Sequence, residues 1–188
     1  MCLRCSLVKA PEFAAWRHVG SRDGFEVVFV GERHFAGHVA GVEEGEPYAV
    51  RYEIWLDERW HTRRAQVWGR SRGGDYTVEL EADGTGRWEV DGVARPELDG
   101  VFDVDLEASS LTNAFPVRRL ALGLGEASDA PAAYVRSLDG GVERLEQRYE
   151  CIGERRYDYR APAFDTRCEL VYDEFGLVLD YPDIAIRL

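Results

Sequence analysis

Short runs in which apolar and polar residues alternate at every second position constrain the fold of this chain most strongly. The side chains of a β-strand point to opposite faces in turn, so a period of two predicts strands with two distinct faces. Glycine-containing segments separate the runs, as expected for strands joined by turns. The faces that share this period are Phe25/Val27/Phe29, Val50/Tyr52/Ile54/Leu56, Tyr76/Val78/Leu80, Phe102/Val104/Leu106, Leu145/Gln147/Tyr149/Cys151 and Phe164/Thr166/Cys168/Leu170/Tyr172.

Tight-turn sequences connect several of these runs. Asp83-Gly84, Asp91-Gly92 and Asp139-Gly140-Gly141 supply residues that readily adopt the positive φ of hairpin turns. Consecutive strands joined by short turns form antiparallel meanders. The sequence therefore predicts a mainly β protein built on an antiparallel sheet.

One segment departs from the period of two. Ser109 to Asn113 offers side chains that cap helices, Pro116 suits a first helical turn, and glycines at 123 and 125 follow the apolar stretch. These features predict a short helix near 112–122, capped by Thr112 or Asn113. A second, weaker helical candidate spans Pro11 to His18.

The acidic balance of the 188-residue chain argues against anionic partners, because its formal net charge is −12. A field of that sign repels phosphate backbones and membrane surfaces, so nucleic acid is not an expected partner. No stretch approaches the ~20 apolar residues of a membrane span, and the first residues lack the apolar run of a signal peptide. We expect a cytoplasmic protein with reduced thiols, an N-terminal tail at 1–12 and a single domain over 13–188.

Cysteines and histidines do not form a metal-ligand pattern. Cys2 and Cys5 make one CxxC pair, whereas zinc sites need a second pair or two suitably spaced histidines. His34 and His38 are four residues apart, but on a strand their side chains would be separated by ~13 Å. We expect no metal and no cofactor, and whether Cys2 and Cys5 have a redox role stays open.

An acidic stripe and two arginines lie close together in the sequence. Asp103, Asp105 and Glu107 alternate along one strand, where they could hold a cation, act as an acid/base pair, or form a solvated or salt-bridged face. Arg118 and Arg119 follow on the predicted helix, and an inward-facing guanidinium needs a carboxylate or an anionic ligand. Two interpretations stay open: an arginine paired with Asp103 or Asp105, and an arginine that anchors an anionic headgroup.

Aromatic residues are the remaining signal of function. Five tryptophans, Trp60 among them, and nine tyrosines could line an apolar or sugar-binding cavity, or fill a core or a dimer interface. No serine lies in a Gly-x-Ser-x-Gly elbow, and no cysteine has a histidine beside it in an active-site context. The sequence offers no recognisable catalytic centre.

The most distinctive stretch is Asp103-Val-Asp-Leu-Glu-Ala-Ser-Ser-Leu-Thr-Asn-Ala-Phe-Pro-Val-Arg-Arg-Leu120. It resembles the bacterial glycolipid-binding family, a domain of unknown function that carries an Asp-x-Asp-Leu strand and then Thr-Asn-x-x-Pro-[Ile/Val]-Arg-Arg-Leu. Ala114 keeps the family's small residue, whereas Phe115 replaces a more usual leucine. Residues 1–12 match nothing in the family. Further matches between Trp16 and Leu188 are Pro47-Tyr48-Ala-Val-Arg51-Tyr52, Trp60-His-Thr62-Arg63, Trp88 with Gly92, Gln147-Arg-Tyr149, Tyr157-Asp-Tyr159, Phe164 and Leu177-Val-Leu-Asp-Tyr181-Pro182.

This resemblance implies a fold and a function. The fold is a long antiparallel sheet of roughly fifteen strands, rolled spirally around a single central helix near 112–122 and commonly dimeric. The function is the binding of a glycolipid or another amphiphile, because the fold is similar to that of periplasmic lipoprotein carriers and mycobacterial glycolipid-binding lipoproteins.

We therefore expect a binding protein, without catalysis, whose ligand lies between the rolled sheet and the helix. The expected ligand-binding residues are Arg118, Arg119, Asp103, Asp105, Trp60 and Asn113. Two alternatives stay open: a dimeric structural or interaction protein with a filled core, and an uncharacterised enzyme that uses Asp103 or Asp105 with Arg119. An empty apolar interior beside the helix would favour binding, and a packed interior would favour the structural alternative.

Overall fold

Strands dominate the computed structural model, which describes residues 10–188. Cys2 and Cys5 therefore lie outside the described residues. One α-helix and two single-turn 3-10 helices, Pro96–Leu98 and Pro162–Phe164, interrupt the strands. The elements in chain order are β1 (Phe13–His18), β2 (Arg22–Val30), β3 (His34–Glu43), β4 (Glu46–Leu56), β5 (Thr62–Ser71), β6 (Gly74–Ala82), β7 (Trp88–Val90), β8 (Val93–Ala94), β9 (Asp103–Leu106), α1 (Ala114–Leu120), β10 (Ala127–Asp129), β11 (Ala132–Val135), β12 (Val142–Leu145), β13 (Arg148–Gly153), β14 (Arg156–Ala161), β15 (Thr166–Tyr172), β16 (Val178–Tyr181) and β17 (Ala185–Arg187).

One long antiparallel sheet carries the fold. Its 14 strands run in the order β10-β13-β14-β15-β16-β17-β1-β2-β3-β4-β5-β6-β7-β8. The first and last strands of the chain pair with each other, Trp16 lying opposite Arg187, so the two halves of the sheet join at the termini. The sheet does not close, because β10 and β8 remain as edges. A second sheet of three strands, β12-β11-β9, contains the parallel pair β9–β11.

The helix packs into the interior through its first turn. Residues Ala114 to Val117 are buried, and the Phe115 ring lies 5.4 Å from that of Phe35 on β3. Val117 packs in a second apolar cluster with Tyr149, Tyr157 and Tyr172 from the C-terminal strands. The helix thus fills the space between both halves of the sheet. The predicted mainly β fold with a single helix near 112–122 is confirmed for the described part of the chain.

Neither predicted capping side chain caps the helix. Asn113 precedes the first helical residue, but it has helical φ and ψ and its side chain makes no capping hydrogen bond. Instead, the Asn113 side-chain oxygen accepts a hydrogen bond from the Tyr149 hydroxyl at 3.0 Å. The Thr112 hydroxyl donates to Asp105 at 2.6 Å. Both side chains therefore tie the helix entrance to neighbouring strands rather than to the helix itself.

A buried glutamate holds the segment that leads into the helix. Glu26 on β2 is fully buried, and its Oε1 accepts hydrogen bonds from the Tyr52 hydroxyl at 2.6 Å and from the Ser109 hydroxyl. Its Oε2 accepts the backbone N–H of Ser110 at 2.8 Å. Burial raises the pKa of Glu26 to about 6, although these hydrogen bonds oppose the change. One carboxylate therefore joins two strands of the sheet to the 109–110 segment.

A buried ion pair fixes the other side of the helix. Arg119 Nη2 lies 2.5 Å from Asp103 Oδ2, and Arg119 Nε lies 3.1 Å from Oδ1, so the guanidinium binds the carboxylate with two nitrogens. The two side chains are 13% and 2% exposed. This contact confirms the interpretation in which one of the two adjacent arginines pairs with the acidic stripe.

The structure corrects one sequence prediction about the first strands and settles one point that the sequence left open. The segment Pro11 to His18 is not helical, because β1 alternates between buried and exposed residues and Trp16 is fully buried. On β2 the alternation is real, but the exposed face carries Phe25 and Phe29 while Glu26 is inside. The three hydrogen bonds to Glu26 make this arrangement stable, since a buried carboxylate needs donors.

Replacement of Glu26 by glutamine should change how stability depends on pH. A carboxylic acid whose pKa is raised from 4.5 to about 6 by folding binds protons more tightly in the folded state. The parent protein therefore loses ~2 kcal/mol of stability as pH rises from below 4.5 to above 6. Unfolding by denaturant at pH 4 and pH 7 should show the Glu26→Gln variant gaining that amount relative to the parent. A stability difference that is the same at both pH values would contradict the assignment.

Replacement of Arg119 by methionine should destabilise the protein by about 3–5 kcal/mol, because it leaves the Asp103 carboxylate buried without its partner. The double variant Arg119→Met/Asp103→Leu removes both charges and should recover much of that loss. Equilibrium unfolding in urea measures both effects. A cost below about 1 kcal/mol for Arg119→Met would indicate a pair no stronger than an exposed one.

Candidate functional site

A cavity of about 360 Å³ opens beside the segment that connects β9 to α1. Its size falls at the lower end of the ~300–1,000 Å³ typical of small-molecule sites. Phe164 lines the cavity and is 51% exposed, so it lies at the opening. The wall consists of polar, aromatic and a few aliphatic residues from both halves of the sheet: Ser21, Arg22, Glu43, Asp105, Leu106, Glu107, Ser109, Asn113, Tyr134, Leu145, Tyr159, Phe164, Thr166, Tyr181 and Ile184.

Two carboxylates from the acidic stripe face this cavity. Asp105 Oδ1 accepts a hydrogen bond from the Thr112 hydroxyl at 2.6 Å, and Oδ2 accepts one from the Gln147 side-chain amide. Burial raises the pKa of Asp105 against these two donors. Glu107 Oε2 accepts the backbone N–H of Ser137 at 2.7 Å. Neutral groups therefore position both carboxylates.

Among the residues that the structure describes, one cationic side chain lies in the wall, and it is paired with an acidic one. Arg22 Nε lies 3.0 Å from Glu43 Oε1, and these residues are cross-strand partners on β2 and β3. Arg22 Nη1 donates to the backbone carbonyl of Glu107 at 2.6 Å. Its guanidinium is therefore hydrogen-bonded to the end of the acidic stripe and already paired with a carboxylate, so it is not a free cation for a ligand.

Tyrosine rings form another part of the wall. Tyr159 and Tyr181 make an edge contact with centroids 5.9 Å apart, and Tyr134 packs against Phe164 at 5.4 Å. Burial raises the pKa of Tyr134, Tyr159 and Tyr181, so their hydroxyls stay protonated. The rings offer apolar faces, and the hydroxyls can donate hydrogen bonds.

The structure brings only some of the expected ligand-binding residues together. Asp105 and Asn113 line the cavity, whereas Asp103 and Arg119 form the buried pair outside its wall. Arg118 and Trp60 lie in another cluster. The Arg118 guanidinium is 4.6 Å from the Trp60 ring and 4.8 Å from the Phe175 ring, and it donates to the Phe175 carbonyl at 3.0 Å.

Several wall residues were missing from the expected set. Tyr159 and Tyr181 occur in the motifs that carry the family resemblance, but their type alone is equally typical of a core. Arg22 and Glu43 are far apart in the sequence, and only the β2–β3 register makes them partners. Glu107 belongs to the acidic stripe, and a strict alternation with Asp105 could have indicated that it shares the same face.

The described residues hold no group of three His, Cys, Asp or Glu side chains with the geometry of a metal site. Within the same part of the chain, no helix has the length and apolar character needed to cross a membrane.

A second concave region lies on the outer face of the long sheet, the face turned away from the core. It measures about 580 Å³ and its floor spans β2 to β6, with Phe25, Ala40, Ala49 and Trp68 among its residues. Beside it, Phe13 and Phe29 are neighbouring partners on β1 and β2 and are 61% and 60% exposed. The outer face is thus apolar over several adjacent strands.

Comparisons with known proteins agree with this architecture. A crystal structure of a DUF1089 family protein from Pseudomonas aeruginosa is similar to this chain, with 30% sequence identity and a TM-score of 0.82. The similarity covers 98% of this chain and 97% of that one. No curated protein matches the chain. The family described as "Putative glycolipid-binding" matches residues 13–187, and the chain therefore belongs to that family.

Proposed function

We propose that this protein binds the polar head of a glycolipid or of a similar sugar-bearing amphiphile in the cavity beside Asp105. The observation that carries the proposal is the composition of the cavity wall, which combines hydrogen-bonding carboxylates and the Asn113 amide with tyrosine rings. Sugars present hydroxyls to the first kind of group and apolar ring faces to the second. The family description points to the same class of ligand.

The interior next to the helix supports binding of a head rather than of a whole lipid. Leu111, Phe115 and Val117 are fully buried in the two apolar clusters, so the apolar side of the helix is packed. The cavity wall is rich in polar groups, and an acyl chain placed there would leave them without partners. The apolar part of an amphiphile would therefore leave the cavity past Phe164.

Of the six residues expected from the sequence, the proposal keeps Asp105 and Asn113 in contact with the ligand. Asp103, Arg119, Arg118 and Trp60 are proposed to act indirectly, because their contacts hold α1 behind the cavity. The protein is proposed to work in the cytoplasm and without catalysis. Two observations support the absence of catalysis. Burial raises the pKa of the Cys168 thiol to about 11, which leaves the thiol unreactive. Arg119 does not line the cavity that Asp105 faces, so the two cannot act together there.

A variant that fills the cavity entrance should abolish binding. Ser21 lines the cavity, is exposed and lies in the β1–β2 turn, so Ser21→Trp can place an indole at the wall with little effect on the core. We expect at least a tenfold loss of affinity for octyl glucoside below its micelle concentration, measured by calorimetry. Unfolding free energy should change by no more than about 0.5 kcal/mol.

Ser21→Ala serves as the matched control and should bind like the parent. Native mass spectrometry of protein purified from its own host adds an independent readout, with a sugar-bearing amphiphile expected in the parent. Absence of any such ligand, together with no saturable binding of octyl glucoside, would contradict the proposed function.

The apolar outer face favours a homodimer as a second proposal. Soluble monomers rarely expose large contiguous apolar patches, and an isologous contact would cover the same patch on both copies. The patch centres on Phe13, Phe25 and Phe29 and continues to Ile186, whose partner on β1 is Arg17. Such a dimer could accompany ligand binding or be the main role of the protein.

Phe29→Glu should convert the dimer to a monomer, since it places a charge at the centre of the patch. Sedimentation equilibrium at micromolar concentration measures the change in mass. Val93→Glu is the matched control, because Val93 on β8 is also apolar and 64% exposed but lies far along the sheet order from β1 and β2. A monomeric parent protein would contradict the dimer.

A further inference from the structure

The acidic residues at and beside the cavity differ in how their charges are paired. Along one short stretch of chain, three acidic residues follow each other at every second position, and their surroundings differ. Asp103 is neutralised by the Arg119 guanidinium. Asp105 and Glu107 are held by a hydroxyl, an amide and a backbone N–H, none of which carries charge. Among the described residues, no arginine or histidine forms an ion pair with either carboxylate; Arg22 attracts Glu107 electrostatically, but its ion pair is with Glu43.

The remaining charged wall residues do not change this balance. Within residues 10–188, Arg22 and Glu43 pair at 3.0 Å, which leaves the carboxylates of Asp105 and Glu107 as the wall charges without an ion-pair partner. Charges in a partly enclosed space are screened less than charges on an open surface. An anionic group in the ligand would face this field directly, whereas a cation would be attracted by it.

The aromatic part of the wall suits a cation as well. Tyr134, Tyr159 and Tyr181 lie around the same space, and the electron-rich faces of phenol rings attract ammonium groups within about 6 Å. A protonated amine carries three donors, which can be shared between carboxylate oxygens and phenol oxygens. Neutral hydroxyls can use the same acceptors, but they gain nothing from the uncompensated charge.

We propose that the head of the ligand carries a protonated amine, as an amino sugar does, and that Asp105 and Glu107 recognise it. This inference rests on the proposed function, since it names the chemical class of the head bound in the same cavity. It also assigns specificity: anionic heads such as uronic acids and sulfated or phosphorylated sugars are rejected. Arg118 and Arg119 take no part in this choice, because they lie outside the wall.

Three octyl glycosides with the same chain test the inference: the glucoside is neutral, the 2-amino-2-deoxyglucoside is cationic at neutral pH and the glucuronide is anionic. Calorimetric titration of the full chain below the micelle concentrations should show the amino sugar binding at least tenfold more tightly than the glucoside. The glucuronide should bind more weakly than the glucoside. Raised salt should reduce the preference for the amino sugar.

Variants assign the preference to the two carboxylates. Asp105→Asn and Glu107→Gln should each reduce the ratio of amino-sugar to glucoside affinity at least threefold, because loss of a negative charge weakens an ammonium contact more than a contact to a neutral hydroxyl. Glu89→Gln removes an exposed carboxylate from β7, outside the cavity, and should keep the parent ratio. Circular dichroism confirms that each variant is folded.

The outcomes separate this inference from the proposed function. Equal affinity for the amino sugar and the glucoside, or a preference that survives both substitutions, would overturn the amine while sugar binding stands. Binding of none of the three glycosides would overturn both. Tightest binding of the glucuronide would overturn the charge argument directly.

Discussion

The carboxylate of Glu26 is the contact on which the arrangement of sheet, helix and cavity depends. It lies on the inner face of β2 and accepts hydrogen bonds from Tyr52 on β4, from the Ser109 hydroxyl and from the Ser110 backbone N–H. That segment carries the chain from β9 into α1, so its position fixes where the helix enters the interior. Because the carboxylate is completely buried, its donors must stay in place. The segment is therefore held more firmly than its lack of regular structure suggests.

Acidic residues of this chain that lie at or near the helix have different roles. Glu26 and Asp103 are buried and have structural partners, the first neutral and the second an arginine. Asp105 and Glu107 have neutral partners as well, but they face a cavity. Burial raises the pKa of both Glu26 and Asp105, so solvent access rather than pKa separates a structural carboxylate from one that can meet a ligand. The proposed recognition of an amine follows from this difference in access.

The two proposals use opposite faces of the same sheet. The inner face meets the helix and forms the cavity, and the outer face exposes aromatic rings from β1 and β2. Ligand binding and self-association therefore need not compete for surface. Strand β2 contributes to both regions: Arg22 pairs with Glu43 in the cavity wall, and Phe25 lies on the outer face.

Local sequence signals predicted most of the fold but only part of the candidate site. Alternation and Asp-Gly turns predict the strands, and Pro116 with the following glycines predicts the helix, because these signals act over a few residues. The same local signals left open which face of β2 is buried, and they predicted caps that Thr112 and Asn113 do not form. In both cases a distant partner decides the outcome: the donors of Glu26 for β2, and Tyr149 for Asn113.

The sequence by itself determined that the chain is mainly β, where its strands turn and where its one described helix lies. It also predicted one strand face for Asp103, Asp105 and Glu107; β9 carries the first two, whereas Glu107 lies in the turn that follows. Only the tertiary structure decided that Asp103 meets Arg119 while Asp105 and Glu107 meet a cavity. Local periodicity sets the direction of a side chain, but its partner comes from strands and loops far away in the sequence. The charge left uncompensated in the cavity is therefore a property of the assembled roll.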